Sequence, residues 1–102
     1  MKLRWRDSTM YTSDLEYEKE YLKVEEKFLN DRLKFENFIF LNDVLKSLGF
    51  KQVKRGQYDG WLYDELEPES KQLIKLRVKE ENGELYLNLN EEKNIIDNAF
   101  VD

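Results

Sequence analysis

At 102 residues with 40% hydrophobic content, the chain is expected to form one domain, 1–102, with a modest core of its own. It contains no histidine and no cysteine, which excludes disulfides, thiolate and histidine catalysis, and zinc sites built on these residues. A net charge of −5 disfavours generic nucleic-acid binding, because neutralising phosphates requires a surplus of lysine and arginine. No segment has the pattern of a membrane span or a signal peptide, so a cytoplasmic protein without membrane contact is expected.

The first two predicted elements are a short strand and a long helix. Lys2–Arg6 alternates between basic and apolar residues, as a half-buried strand does. The helix is predicted over Asp14–Phe35, and a capping box of Ser13 and Glu16 is expected to start it. Apolar residues recurring every seven positions predict a wide stripe, namely Leu15, Tyr21, Leu22, Phe28, Leu29, Leu33 and Phe35. We expect this helix to cover a sheet; the alternative is pairing with a second chain.

The segment Leu41–Leu48 predicts a short amphipathic helix with a sharp end. Its apolar residues recur at positions i, i+3, i+4 and i+7. Gly49 is expected to take the left-handed conformation that ends a helix, and Phe50 is expected to pack back against it.

The stretch GQYDGWLYDE lies between a basic and an acidic segment. Gly56 and Gly60 predict a turn in which another backbone passes close by. A strand is expected to follow, in which Trp61 anchors the core and its indole N–H needs a partner. The alternative is an exposed contact patch made by Tyr58, Trp61 and Tyr63.

A β-hairpin is predicted around Asn82 and Gly83, a pair that favours the positive φ angles of a type I′ turn. Its inward face is expected to comprise Ile74, Leu76, Val78, Leu85, Leu87 and Leu89. Its outer face is expected to carry Lys75, Arg77, Lys79 and Tyr86. These cations make nucleic-acid binding an alternative, although no pair of stacking aromatic residues accompanies them. The tail from Asn90 to Phe100 predicts either a last helix or an extended segment.

Catalytic and ligand-binding motifs are sparse. The chain lacks the glycine-rich patterns that bind phosphates, and its acidic segment lacks the spacing of a calcium loop. Asp59 or Asp64 together with Glu69–Lys71 only faintly matches the carboxylate and lysine set of metal-dependent nucleases. We therefore expect no enzyme activity, no cofactor and no metal site.

Three short motifs resemble uncharacterised proteins of phages and integrative mobile elements of Gram-positive bacteria. They are Leu41-Asn42-Asp43, Leu48-Gly49-Phe50 and the G-x-x-x-G-W pattern from Gly56 to Trp61. The resemblance covers the larger part of the chain. It implies an origin in a mobile element and implies no activity.

Together these features predict an α+β fold with an antiparallel sheet of about four strands packed against one long and one short helix. The predicted function is that of an acidic, non-enzymatic protein that docks on a basic, nucleic-acid-binding surface of a host defence protein. The predicted protein-binding residues are Glu16, Glu20, Tyr58, Asp59, Trp61, Tyr63, Asp64, Glu65, Glu67 and Glu69. The alternatives are a phage structural or assembly component that self-associates, and a weak nucleic-acid-binding module on the hairpin.

Overall fold

The computed structural model describes residues 1–64, 66 and 73–96. In chain order the elements are β1 (Lys2–Arg4), a 3-10 turn (Trp5–Asp7), α1 (Leu15–Glu36), β2 (Phe38–Phe40), α2 (Leu41–Ser47), a second 3-10 turn (Lys54–Gln57), β3 (Gly60–Leu62), β4 (Leu76–Glu81) and β5 (Glu84–Leu89). The predicted α+β class is confirmed. In the described residues, the antiparallel strands are divided between a three-stranded sheet, in the order β1-β5-β4, and a two-stranded sheet of β2 and β3.

The start of α1 differs from the predicted capping box of Ser13 and Glu16. Asp14 is the N-cap, and its carboxylate accepts a hydrogen bond from the Tyr17 backbone N–H at 3.1 Å. Glu18, rather than Glu16, reaches back and accepts a hydrogen bond from a backbone N–H ahead of the helix at 2.7 Å. Aspartate suits this position because its negative charge also interacts favourably with the positive end of the helix dipole.

Only part of the predicted stripe on α1 faces the core. Leu22, Leu29 and Leu33 are fully buried, whereas Phe28 is 61% exposed and Phe35 is 88% exposed. Consecutive residues lie about 100° apart around a helix, so the leucine row and the aromatic row point in different directions. The leucine row occupies the core, and the expectation that both phenylalanines face it is wrong.

The predicted end of α2 is confirmed. Gly49 has a φ of +82°. The Phe50 N–H donates to the Leu45 carbonyl at 2.8 Å, and the Gly49 N–H donates to the Lys46 carbonyl at 3.2 Å. These two bonds form the Schellman motif, which satisfies the last carbonyls of a helix. Phe50 packs edge-on against Trp5, with ring centroids 5.9 Å apart, and so ties α2 to the N-terminal segment.

The hairpin forms as predicted, with one exception. Asn82 and Gly83 have φ angles of +52° and +79°, and Glu81 pairs with Glu84 across the turn. This is the geometry of a two-residue type I′ turn. The other predicted inward residues are buried, but Val78 is 40% exposed, because β4 lies at the edge of its sheet.

β2 and β3 pass each other closely at Gly60. A Cβ atom at this position would overlap the Ile39 carbonyl oxygen and would lie 2.9 Å from the Phe40 Cα. On its other side, Gly60 exchanges two backbone hydrogen bonds with Glu92, at 2.9 Å and 2.7 Å. The prediction that another backbone passes close to this glycine is confirmed.

Substituting Gly60→Ala is expected to lower the free energy of unfolding by about 3 kcal/mol or more, because the surrounding backbone cannot move without breaking its pairing. The matched control is Gly83→Ala, where an added Cβ meets no atom within 4 Å. There only the positive φ is unfavourable, at about 1 kcal/mol. Urea unfolding followed by tryptophan fluorescence measures both variants. Equal losses for the two substitutions would contradict the close passage at Gly60.

Candidate functional site

The first glycine of the G-x-x-x-G-W pattern makes room for an asparagine that joins α2 to the following loop. The Asn42 side chain donates to the Val53 carbonyl at 2.9 Å and accepts from the Val53 N–H at 2.9 Å. A Cβ atom at Gly56 would overlap the Asn42 amide group. Close packing against Asn42 therefore explains the glycine in this part of the motif.

Trp61 is buried, which confirms its predicted place in the core and removes it from any exposed contact patch. Its indole N–H donates to the Asn90 Oδ1 atom at 2.9 Å. The same oxygen accepts from the Lys75 N–H at 2.9 Å, and the Asn90 amide donates to the Leu73 carbonyl at 2.8 Å. One asparagine thus satisfies the tryptophan and two backbone groups ahead of β4.

Asp59 is also buried, and so it is not available as part of an exposed acidic surface. Its carboxylate accepts a hydrogen bond from Arg55 at 2.6 Å and one from the Asn94 N–H at 3.0 Å. Arg55 also donates to Glu91 at 2.9 Å. Burial alone would raise the pKa of Asp59, but the Asn94 N–H and the Arg55 guanidinium outweigh it and hold the pKa below its usual range.

The remaining predicted contact residues of this stretch differ in their exposure. Tyr58 is 45% exposed, whereas Tyr63 is half-buried and packs against the core. Asp64 is exposed, and its carboxylate accepts a hydrogen bond from the Leu66 N–H at 2.9 Å. Three further predicted residues lie outside the described part of the chain, namely Glu65, Glu67 and Glu69.

Glu16 and Glu20 are exposed on the first turns of α1. They lie on the side of the helix that points away from the buried leucines. The Glu20 carboxylate is 3.5 Å from the Lys23 ammonium, in a pair that is open to water and therefore weak. Of the seven predicted residues that the structure describes, these two are the ones that lie on a long helix.

Four exposed apolar side chains lie on the outer face of α1. Two of them, Phe28 and Phe35, were predicted to face the core, and the other two were not predicted at all. Tyr17 is 59% exposed and Val24 is 65% exposed, and both lie in line with the exposed Phe28 and Phe35. At about 100° per residue, the four fall within roughly 40° of arc around the helix. We call these four residues the outer stripe. Their spacing of seven, four and seven residues was the signal that would have found them.

The outer face of the three-stranded sheet carries both signs of charge. Lys2 and Lys79 each lie near Glu81, at 3.7 Å and 3.6 Å. The ring of Tyr86 is covered by the Lys2 ammonium, 4.6 Å from the ring centroid. Of the hairpin cations, Lys79 thus has an acidic neighbour, and the aromatic ring on this face is already covered by a cation.

Residues 1–64, 66 and 73–96 contain neither a cluster of metal-ligating side chains nor a candidate membrane span. No group of three or more acidic side chains is arranged to hold a metal ion. No helix in the same residues has both the length and the apolar character needed to span a bilayer.

A model of one protein family matches residues 2–98. The chain belongs to this family, which is described as a family of unknown function (DUF6353). The match extends from β1 to beyond the end of β5, so it includes α1 and the outer stripe. No curated protein and no solved structure matches the chain.

Removing the Asp59 charge is expected to change how stability depends on pH. Because the folded-state pKa of Asp59 is lowered, its carboxylate stabilises the fold above the ordinary aspartate pKa of about 4. This contribution is lost as the pH falls through the lower folded-state value. Asp59→Asn should therefore be less stable than the wild type at neutral pH, and the difference should shrink in acid. Urea unfolding at about pH 7 and about pH 3 measures this.

The matched control is Asp7→Asn, which removes a carboxylate from an exposed position. This substitution should change stability little at either pH. A loss in Asp59→Asn that is the same at both pH values would show that ionisation of the carboxylate is not the source of the stabilisation.

Proposed function

We propose that this chain is a non-enzymatic protein-binding domain whose contact surface is the outer face of α1. The observation that carries the proposal is the outer stripe, where four apolar side chains are exposed on a helix whose opposite side is buried. Keeping apolar surface in water is unfavourable by about 25 cal/mol per Å². A partner that covers the stripe removes this penalty, and exposed patches of this kind mark interaction sites.

The inner face of α1 holds the helix rigidly in place. The Asn30 side chain accepts from the Ile74 N–H at 2.7 Å and donates to the Ile74 carbonyl at 2.9 Å. The Glu26 carboxylate accepts from the Leu76 N–H at 2.8 Å. These bonds fasten α1 to the strand at the edge of the sheet. A partner therefore meets a surface that is already ordered, which lowers the entropy loss on binding.

Hydrogen bonds and ion pairs hold the buried carboxylates of the described residues. Three such side chains are buried there, namely Glu18, Asp59 and Glu91. Glu18 accepts hydrogen bonds from the Thr12 N–H and hydroxyl at 2.7 Å and 3.1 Å. Asp59 is bound by Arg55 and Asn94. Asp59 and Glu91 are therefore each held by Arg55, which supports a binding role without acid-base catalysis at these two residues. Glu18 fastens the Thr12 segment through Oε1, but it also lines a cavity of about 210 Å³ with Arg6, Tyr11 and Glu84, and its Oε2 atom has no hydrogen-bond partner among the described residues.

The partner that we propose is a host protein encountered by a phage or mobile element, on the strength of the motif resemblance. Glu16 and Glu20 lie beside Tyr17 at the N-terminal end of the outer stripe. Negative charge there favours a partner with basic residues at the matching position, such as the nucleic-acid-binding surface of a defence protein. Asp64 is a further exposed acid on the domain.

Substituting Phe28→Glu is expected to reduce partner capture at least about tenfold, because it places a charge in the middle of the apolar contact. Affinity capture of the tagged chain from host lysate, with quantitative mass spectrometry, measures this. Tyr58→Glu is the matched control, since it adds the same charge at an exposed aromatic residue outside the stripe. If both variants capture the same proteins as the wild type, the outer stripe is not the contact surface.

The acidic part of the proposal has a separate test. Capture by the wild type should weaken as salt rises from about 0.05 M to about 0.5 M, because the screening length falls. Glu16→Gln combined with Glu20→Gln should flatten this salt dependence. Capture that depends on Phe28 but is insensitive to salt would retain the apolar contact and rule out charge pairing at these two residues.

A further inference from the structure

The outer stripe is part of a longer seam with the spacing of a coiled coil. Two more residues extend the stripe: Tyr21, which is half-buried and packs against Trp5, and the exposed, charged Asp31. The seam positions are then 17, 21, 24, 28, 31 and 35, which are alternately four and three residues apart. This is the heptad pattern by which two helices pack side by side. At 1.5 Å per residue, the seam follows α1 for about 27 Å.

We propose that the occupant of this seam is α1 of a second copy of the chain, packed antiparallel. This inference rests on the contact surface of the proposed function, the outer face of α1, and places a second copy there in competition with the host protein. A two-fold axis near residue 26 places Tyr17 opposite Phe35 of the other copy, and Val24 opposite Phe28. Each aromatic residue of the outer stripe then meets an apolar residue of the second copy.

The polar member of the seam favours the antiparallel arrangement. In a parallel pair each seam residue faces the same residue of the other copy. Asp31 would then face Asp31 within an apolar contact, which is strongly unfavourable. In the antiparallel pair Asp31 faces Tyr21 instead. Within its own helix, the Asp31 carboxylate lies 3.3 Å from the Lys27 ammonium.

The charges beside the seam point to the same arrangement. On one flank, α1 carries Glu20 near its start and Lys34 near its end. The antiparallel pair brings Glu20 of each copy opposite Lys34 of the other, and it does so twice. A parallel pair would place Glu20 near Glu25 and Lys27 near Arg32, so both flanking contacts would repel. In the antiparallel pair Lys27 lies near the two-fold axis and faces Lys27 of the other copy. This like-charge contact is exposed to water, so its repulsion is weak.

The area of the seam sets the expected strength of the dimer. The side chains of the outer stripe expose roughly 500 Å² per copy, given that an aromatic residue buries about 150–250 Å². Two copies together would bury about 1,000 Å² of apolar surface, which is near the lower limit for a specific interface. We therefore expect a dimer that forms reversibly at micromolar concentrations.

Sedimentation equilibrium of the full chain from about 1 μM to about 200 μM tests the pairing. The wild type should pass from monomer to dimer across this range. Phe28→Glu should raise the dissociation constant at least about tenfold, whereas Tyr58→Glu should leave it unchanged. Circular dichroism and the urea midpoint confirm that each variant is folded, which is expected because both residues are exposed.

A charge swap tests the orientation of the two helices. Glu20→Lys should weaken the dimer, because it places two cations together at each end of the seam. Adding Lys34→Glu to the same chain should restore the original affinity. A parallel dimer gives the opposite result for the first step, since Glu20→Lys would then relieve repulsion from Glu25 and strengthen the pair.

A wild type that stays monomeric at every concentration overturns self-pairing, and so does a dimer that Phe28→Glu leaves intact. The proposed function is judged separately by host-protein capture. If capture depends on Phe28 while the chain stays monomeric, the outer face binds a different protein and only the second-copy inference fails. If neither capture nor association depends on Phe28, both proposals fail.

Discussion

The segment 58–60 lies between two other stretches of backbone and binds both. On one side the Leu41 N–H donates to the Asp59 carbonyl at 2.8 Å, where α2 begins. On the other side the Ile95 N–H donates to the Tyr58 carbonyl at 2.7 Å. Gly60 permits this arrangement because a side chain there would overlap Ile39. The two-stranded sheet, the start of α2 and the chain after β5 thus take their positions from one crossing.

This crossing also determines which aromatic side chains stay exposed and can contact a partner protein. Once segment 58–60 is enclosed, Trp61 follows directly into the core and Asp59 is left to pair with Arg55. The stretch around Trp61 is rich in tryptophan, tyrosine and acid, which is the composition of a binding surface. Asp59 and Trp61 of this stretch are nevertheless buried within the fold. The exposed apolar residues that lie in one line are on α1, opposite the side that packs on this core.

The features that the sequence predicted correctly follow local rules. The end of α2 needs only the pair Gly49 and Phe50, and the hairpin turn needs only Asn82 and Gly83. β2 was missed because its three residues become a strand only by pairing with β3, some twenty residues later. Length and composition give no sign of such a short strand.

The candidate site was harder to predict, because it depends on contacts between distant residues. Asp59 looks like a solvated acid until Asn94, which is 35 residues away, donates to it. The heptad spacing of Tyr17, Val24 and Phe28 is visible in the chain, but so is that of the leucines. Which row faces the core is decided by the sheets that α1 covers, and the three-stranded sheet joins strands from both ends of the chain.

The most direct test of the account is photo-crosslinking in the host cell from position 35, the most exposed residue of the outer stripe. A benzophenone amino acid replaces Phe35 in one variant and Tyr58 in another. We predict a strong crosslinked product from position 35 with the mass of a second copy or of one defined protein, and little product from position 58. No specific product from position 35, or equal products from both positions, would contradict the claim that the outer face of α1 is the contact surface.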